Sequence, residues 1–221
     1  MKKKVVLCLH GYSMSAEWMA EWCKPFELLL PDFEFVIPNA PNVAPEEEVK
    51  AMWERFNAPL PEGRIGVGKN WCWYRATDDK PPSYLQVEDS FHMLEALFQQ
   101  HGPVEGVLGW SQGTVMAAIL AALQEKLGDK RFQFKWGVFC GGFRPGDPRF
   151  KQHFDEVLSL PSLHVIGERE SAFMLEQGQK LADSFVDSEI LKTPVGHIMP
   201  IKYPSYMEKI ASWIARASQR G

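Results

Sequence analysis

Apolar positions fall into two alternating patterns along the chain. Short stretches rich in apolar residues, "KVVLCLHG", "FEFVIP", "VEGVLGW", "KWGVFCG", "LHVIG" and "SEILKTP", predict strands, the first of them buried on both faces. Between them lie longer stretches with helical spacing. "SAEWMAEWCKPFELLL" predicts a helix kinked or restarted at Pro25, because proline removes a backbone donor. Residues 84–101 place Val87, Phe91, Leu94 and Phe98 on one stripe, and Gly102-Pro103 ends that helix. "QGTVMAAILAALQEKLG", "SAFMLEQGQKLADSF" and "PSYMEKIASWIARAS" predict three more helices.

Strands alternating with helices imply a mostly parallel sheet covered on both faces. Ligands in such sheets sit at the carboxyl ends of the strands. That rule selects the loops beginning near His10, Pro38, Trp110, Gly141, Gly167 and Pro194. Residues 42–83 break the rhythm: a charged helix-like piece, a Pro/Gly-rich stretch, then "WCWYR". A connection this long predicts a lid-like or cap insertion in a single domain spanning 1–221.

Composition narrows the function classes. At 221 residues with 45% apolar content the chain can bury a sizeable core. The net charge of −4, with both signs scattered, argues against a nucleic-acid surface. The four cysteines form no CxxC pair or zinc-type cluster and point to a reducing compartment. The five apolar residues after "MKKK" fall short of a secretory leader, and no apolar run reaches the length of a membrane span. A soluble cytoplasmic protein is therefore expected.

The chemistry starts at Gly109-Trp110-Ser111-Gln112-Gly113. This matches G-x-S-x-G between a buried strand and a small-residue helix, the context in which a tight turn exposes a nucleophilic serine. Serine needs a base. Of the six histidines, His92, His101, His153 and His164 fall on helices, in a loop stretch or inside a strand. His10 and His197 both follow strands on the ligand-bearing edge. His197 also follows the serine in the chain, as the order serine–acid–histidine requires, so it is assigned as base. His10 is assigned to bonding loop backbone beneath the site. The amides of Tyr12, in "HGYS", and Gln112 are assigned to an oxyanion hole, with Ser13 as the alternative to Tyr12. The acid must lie between Ser111 and His197, beyond a strand beside the histidine strand. "LHVIGERES" meets both conditions and offers Glu168 and Glu170; Asp183 and Asp187 lie on the wrong edge. Trp71 and Trp73 either line an acyl pocket or pack the insertion.

"LCLHGY", "GWSQG", "HVIGE" and "GHIMP", in this order and spacing, resemble the family of serine hydrolases of fungi and animals that includes ovarian tumour suppressor candidate two. The resemblance spans nearly the whole chain. It implies an α/β-hydrolase fold and carboxylesterase activity, or thioester release as in some fungal relatives. The family's "HVIGxxD" puts its acid three residues past the glycine, at Glu170 here, so the resemblance chooses Glu170 with Glu168 as fallback. Glutamate in place of aspartate is a departure, and so is Trp110 where the family has phenylalanine; Trp110 is taken as a pocket or packing change.

Together these readings predict a serine hydrolase acting on a small acyl ester or thioester, with no metal or organic cofactor implied. The competing reading is a non-catalytic binding protein on the same fold, its triad relaxed at Glu170. Two motifs are set aside. Gly63 to Asn70 approximates a phosphate-binding loop but lacks the closing Ser/Thr and a preceding strand. "HFDE" lacks a second His or Cys at zinc spacing.

Overall fold

The computed structural model describes residues 2–55 and 70–220. The elements in chain order are β1 (Lys4–Leu9), α1 (Ala16–Leu29), β2 (Phe33–Val36), β3 (Asn42–Val43), α2 (Glu46–Arg55), β4 (Trp71–Cys72), β5 (Arg75–Ala76), β6 (Tyr84–Leu85) and α3 (Val87–His101). They continue with β7 (Val104–Trp110), α4 (Gln112–Lys126), β8 (Trp136–Cys140), α5 (Pro148–Lys151), a 3₁₀ turn (Gln152–Phe154), β9 (Ser162–Gly167), α6 (Ala172–Ala182), β10 (Ser188–Thr193) and α7 (Pro204–Ala217).

Six strands form one sheet in the order β2-β1-β7-β8-β9-β10, and every neighbouring pair is parallel. Alternation along a strand sends successive side chains to opposite faces. In β1, Val5, Leu7 and Leu9 join a core with Leu94 and Phe98 of α3 and Val115 to Leu123 of α4. Val6 and Cys8 point the other way, to Met19, Cys23 and Phe26 of α1 and Met207, Ile210 and Ile214 of α7. Two layers of helices therefore cover a sheet that is apolar on both sides. Strand order reverses between β1 and β7, which opens a crevice at their carboxyl ends.

The structure narrows two readings. Helix α1 does not restart at Pro25 but runs through it, with buried Trp22 and Cys23 before the proline and Phe26 after it. Packing on both sides holds the turn that lost its donor. The described part of the insertion is also more regular than its composition suggests. β3 pairs with β4 and β5 with β6, both antiparallel. Two-residue strands carry too few positions to show an alternation. The stretch resembling a phosphate loop lies, apart from Asn70, outside the described residues. No described helix is long and apolar enough to cross a membrane.

Candidate active site

Ser111 sits between the end of β7 and the start of α4 with φ 52° and ψ −115°. A side-chain-bearing residue is strained there, and the turn holds it only because both flanks are tightly packed. Gly109 and Gly113 make that packing possible. A Cβ on Gly113 would lie 2.0 Å from the Leu9 carbonyl oxygen, and one on Gly109 would lie 2.6 Å from the Gly113 oxygen. The Ser111 N–H donates to the Cys140 carbonyl at 2.9 Å, tying the turn to the next strand.

The loops after β9 and β10 are laced by backbone bonds. The Glu168 N–H donates to the Thr193 carbonyl at 2.8 Å, and the Arg169 N–H to the Val195 carbonyl at 3.0 Å. The Glu170 N–H turns back to the Gly167 carbonyl at 3.1 Å. This brings Glu170 against His197. His197 Nδ1 is 3.0 Å from Glu170 Oε2, and His197 Nε2 is 2.9 Å from Ser111 Oγ. A carboxylate only accepts, so Nδ1–H donates to Glu170 and Nε2 is left to accept the Ser111 hydroxyl proton. The Glu170 side chain is 3% exposed and that of His197 37%. Glu168 is exposed on the outer side of the same loop.

His10 is fully buried. Its Nδ1 donates to the Gly11 carbonyl at 2.7 Å and its Nε2 accepts from the Ala40 N–H at 3.0 Å. Burial pushes its pKa down to about 4, so it stays neutral and braces the loop. In that loop Ser13 is buried with φ 60° and its hydroxyl has no partner among the described residues. The main-chain N–H groups of Tyr12 and Gln112 have no acceptor among them either. The Tyr12 hydroxyl donates to Glu48 Oε2 at 3.0 Å, and Glu48 pairs with Arg75. Burial and the Glu48 carboxylate push the phenol far above its ordinary range.

The predicted pocket tryptophans separate. Trp73 does not reach solvent: it is 0% exposed and packs in the core between β1 and α3, so a pocket-lining role is corrected to a bracing one. The physical reason is hydrogen bonding. Its indole N–H donates to the His10 carbonyl at 2.8 Å and its main-chain N–H to Gln112 Oε1 at 2.8 Å. Gln112 Nε2 in turn donates to the Tyr74 carbonyl at 2.7 Å. Residues 73–74 thus clasp both the loop after β1 and the residue after Ser111. Sequence reasoning missed this role of the Gln112 side chain; its only signal was a buried-helix position filled by an amide. Trp71 is half-buried and its N–H donates to the Met14 carbonyl at 3.1 Å. Trp110 is half-buried beside His197.

A parallel sheet whose central strand ends in a strained serine at a strand-to-helix turn is the architecture of an α/β-hydrolase. Esterase PE8, a solved structure, superposes with a TM-score of 0.64 at 19% identity, covering 96% of this chain and 93% of that one. The chain belongs to the serine hydrolase (FSH1) family, whose model matches residues 1–208. Among curated proteins it is similar to Esterase OVCA2 of Danio rerio, 28% identical over 88% of this chain and 89% of the relative. It is also similar to Esterase CG5412 of Drosophila melanogaster, 30% identical over 90% of this chain and 69% of the relative.

Proposed function

We propose that the protein hydrolyses a carboxylic ester or thioester through an acyl-Ser111 intermediate. The observation that carries this reading is the continuous hydrogen-bonded chain from Ser111 Oγ through His197 to a buried Glu170 carboxylate, at 2.9 and 3.0 Å. His197 Nε2 takes the Ser111 proton as Oγ attacks the acyl carbon. It then returns the proton to the departing alcohol or thiol. A water molecule repeats the cycle to release the acid. Glu170 keeps the imidazole in the Nδ1–H tautomer and opposes the charge it acquires. The amides of Tyr12 and Gln112 serve the oxyanion, a role supported by their lack of acceptors among the described residues and by the clasp of Trp73 on both segments. The esterase names of its relatives favour an oxygen ester over a thioester. Trp71, bonded to the loop after β1, and Trp110, beside His197, are our candidates for contact with the acyl group.

The test is hydrolysis of p-nitrophenyl esters and acyl thioesters of graded chain length by the wild type and by Ser111→Ala. Turnover that vanishes in the variant, and that is faster on esters, is expected. A Ser111→Ala protein with full turnover overturns the proposal.

A further inference from the structure

The residue just before the nucleophile is a candidate acyl contact and moves no proton in the chemistry above, yet its ring lies against the imidazole. The Trp110 and His197 ring centroids are 4.8 Å apart, with planes tilted by 43°. Trp22 of α1 meets Trp110 edge-to-face from elsewhere, also at 4.8 Å. The loop after β1 makes room for the indole through a glycine: a Cβ on Gly11 would lie 2.4 Å from Trp110 Cε3 and Cζ3. A strand end, a helix and a loop therefore hold one ring in contact with His197.

We infer that Trp110 is a positioning residue that favours the protonated form of His197 during turnover; this rests on the reading of His197 as base. An aromatic face attracts a cation within about 6 Å of its centroid, and tryptophan does so better than phenylalanine. His197 gains its charge only when Ser111 Oγ bonds to the acyl carbon and its proton passes to Nε2. It loses the charge when that proton moves to the leaving group as the carbon–leaving-group bond breaks. Trp110 exchanges no atom and no electron, and its attraction is greatest while the imidazole is charged, which is the condition for a contact to lower the barrier.

The surroundings leave this contact a distinct part to play. From the loop after β9, the Glu170 carboxylate faces Nδ1, while Glu168 and Arg169 are exposed on that loop. The turn after β7 presents the Ser111 hydroxyl to Nε2. The loop after β8 offers backbone at Gly141, where a Cβ would lie 3.0 Å from His197 Cε1. Lys202, in the segment leading to α7, is exposed. Among these groups, Glu170 fixes one edge of the imidazole and Trp110 contributes an aromatic surface. The 37% exposure of the His197 side chain lets water share in solvating the charge, which keeps the expected effect small.

The test compares wild type, Trp110→Phe and Trp110→Leu in p-nitrophenyl acetate hydrolysis and in the rate of labelling by a fluorophosphonate, each from pH 5 to 9, with Tm measured alongside. The phenylalanine variant carries the residue the family resemblance assigns to this position, so its fold is the safer of the two. In the leucine variant, the acid limb of kcat/KM and of labelling should move to lower pH by about half a unit. Its plateau kcat should fall about 2- to 5-fold with little change in KM, and phenylalanine should lie between. An acid limb that stays in place in both variants, whatever happens to Tm, overturns the inference and leaves Trp110 as packing. A wild-type protein that never labels at Ser111 overturns it too, by removing the site reading on which it depends.

Discussion

Replacing Glu170 by Gln removes one charge while keeping the size of the side chain. The structure sets the scale of the loss. The carboxylate oxygen is 3.0 Å from His197 Nδ1 and its side chain is 3% exposed, so water cannot easily take its place. A unit charge about 4 Å from the imidazolium, at an effective dielectric of about 20, contributes about 4 kcal/mol, or about 10³ in rate. The amide can also turn its NH₂ toward Nδ1, which selects the tautomer whose Nε2 carries a proton and cannot act as base. In a serine protease the equivalent change costs about 10⁴ in kcat. The partial exposure of His197 works the other way, so we expect a loss of about 10² to 10⁴ in kcat. The assay is p-nitrophenyl acetate hydrolysis at pH 8, with Glu168→Gln as control. Exposed Glu168 should be silent within about 2-fold, since surface charges away from a partner have small effects. Glu170→Asp should keep partial activity, because the carboxylate survives but the loop is set for the longer side chain. A silent Glu170→Gln, or a severe loss in Glu168→Gln, would refute the reasoning.

Gln112→Leu should cut kcat by about 10-fold or more with a smaller change in KM, because it unclasps residues 73–74 from the nucleophile turn; steady-state kinetics showing only a KM change would contradict this. Trp73→Phe should lower Tm and kcat together, since it deletes the buried bond to the His10 carbonyl while leaving an aromatic core residue. Stability should fall on acidification. Burial holds His10 near pKa 4 and His164 near 3, so the unfolded chain takes up protons below about pH 6.5 that the folded chain refuses. Their contribution is full above about 6.5 and declines toward pH 4, by up to about 3 kcal/mol for His10 alone. Equal urea midpoints at pH 7 and pH 4.5 would contradict it.

What could be read from the chain was whatever local rules determine. The turn at Ser111 demands small residues on both sides and a strand-helix junction, and all of these are written within a dozen positions. The meeting of Glu170 and His197 could be anticipated because a parallel sheet brings the loops after β9 and β10 to one edge. The choice between Glu168 and Glu170 was not legible from spacing alone. It depends on the turn closed by the Glu170 N–H on the Gly167 carbonyl, which leaves position 168 exposed and brings 170 against the imidazole. Whether Trp73 lines a pocket or packs was left open by the sequence for a related reason. Aromatic character is the same in core and pocket, and only its distant partners, the His10 carbonyl and the Gln112 amide, decide which it joins. The short strands of the insertion, α5 and the 3₁₀ turn are too brief to leave a period in the sequence.

The most direct measurement is covalent labelling by a fluorophosphonate, followed by intact mass and peptide mapping. It asks whether the strained serine beside His197 is a nucleophile, independently of any choice of substrate. A single adduct on Ser111 that is absent in Ser111→Ala and strongly slowed in His197→Ala is the predicted result. A native protein that stays unlabelled, or that reacts at a different serine, would contradict the account.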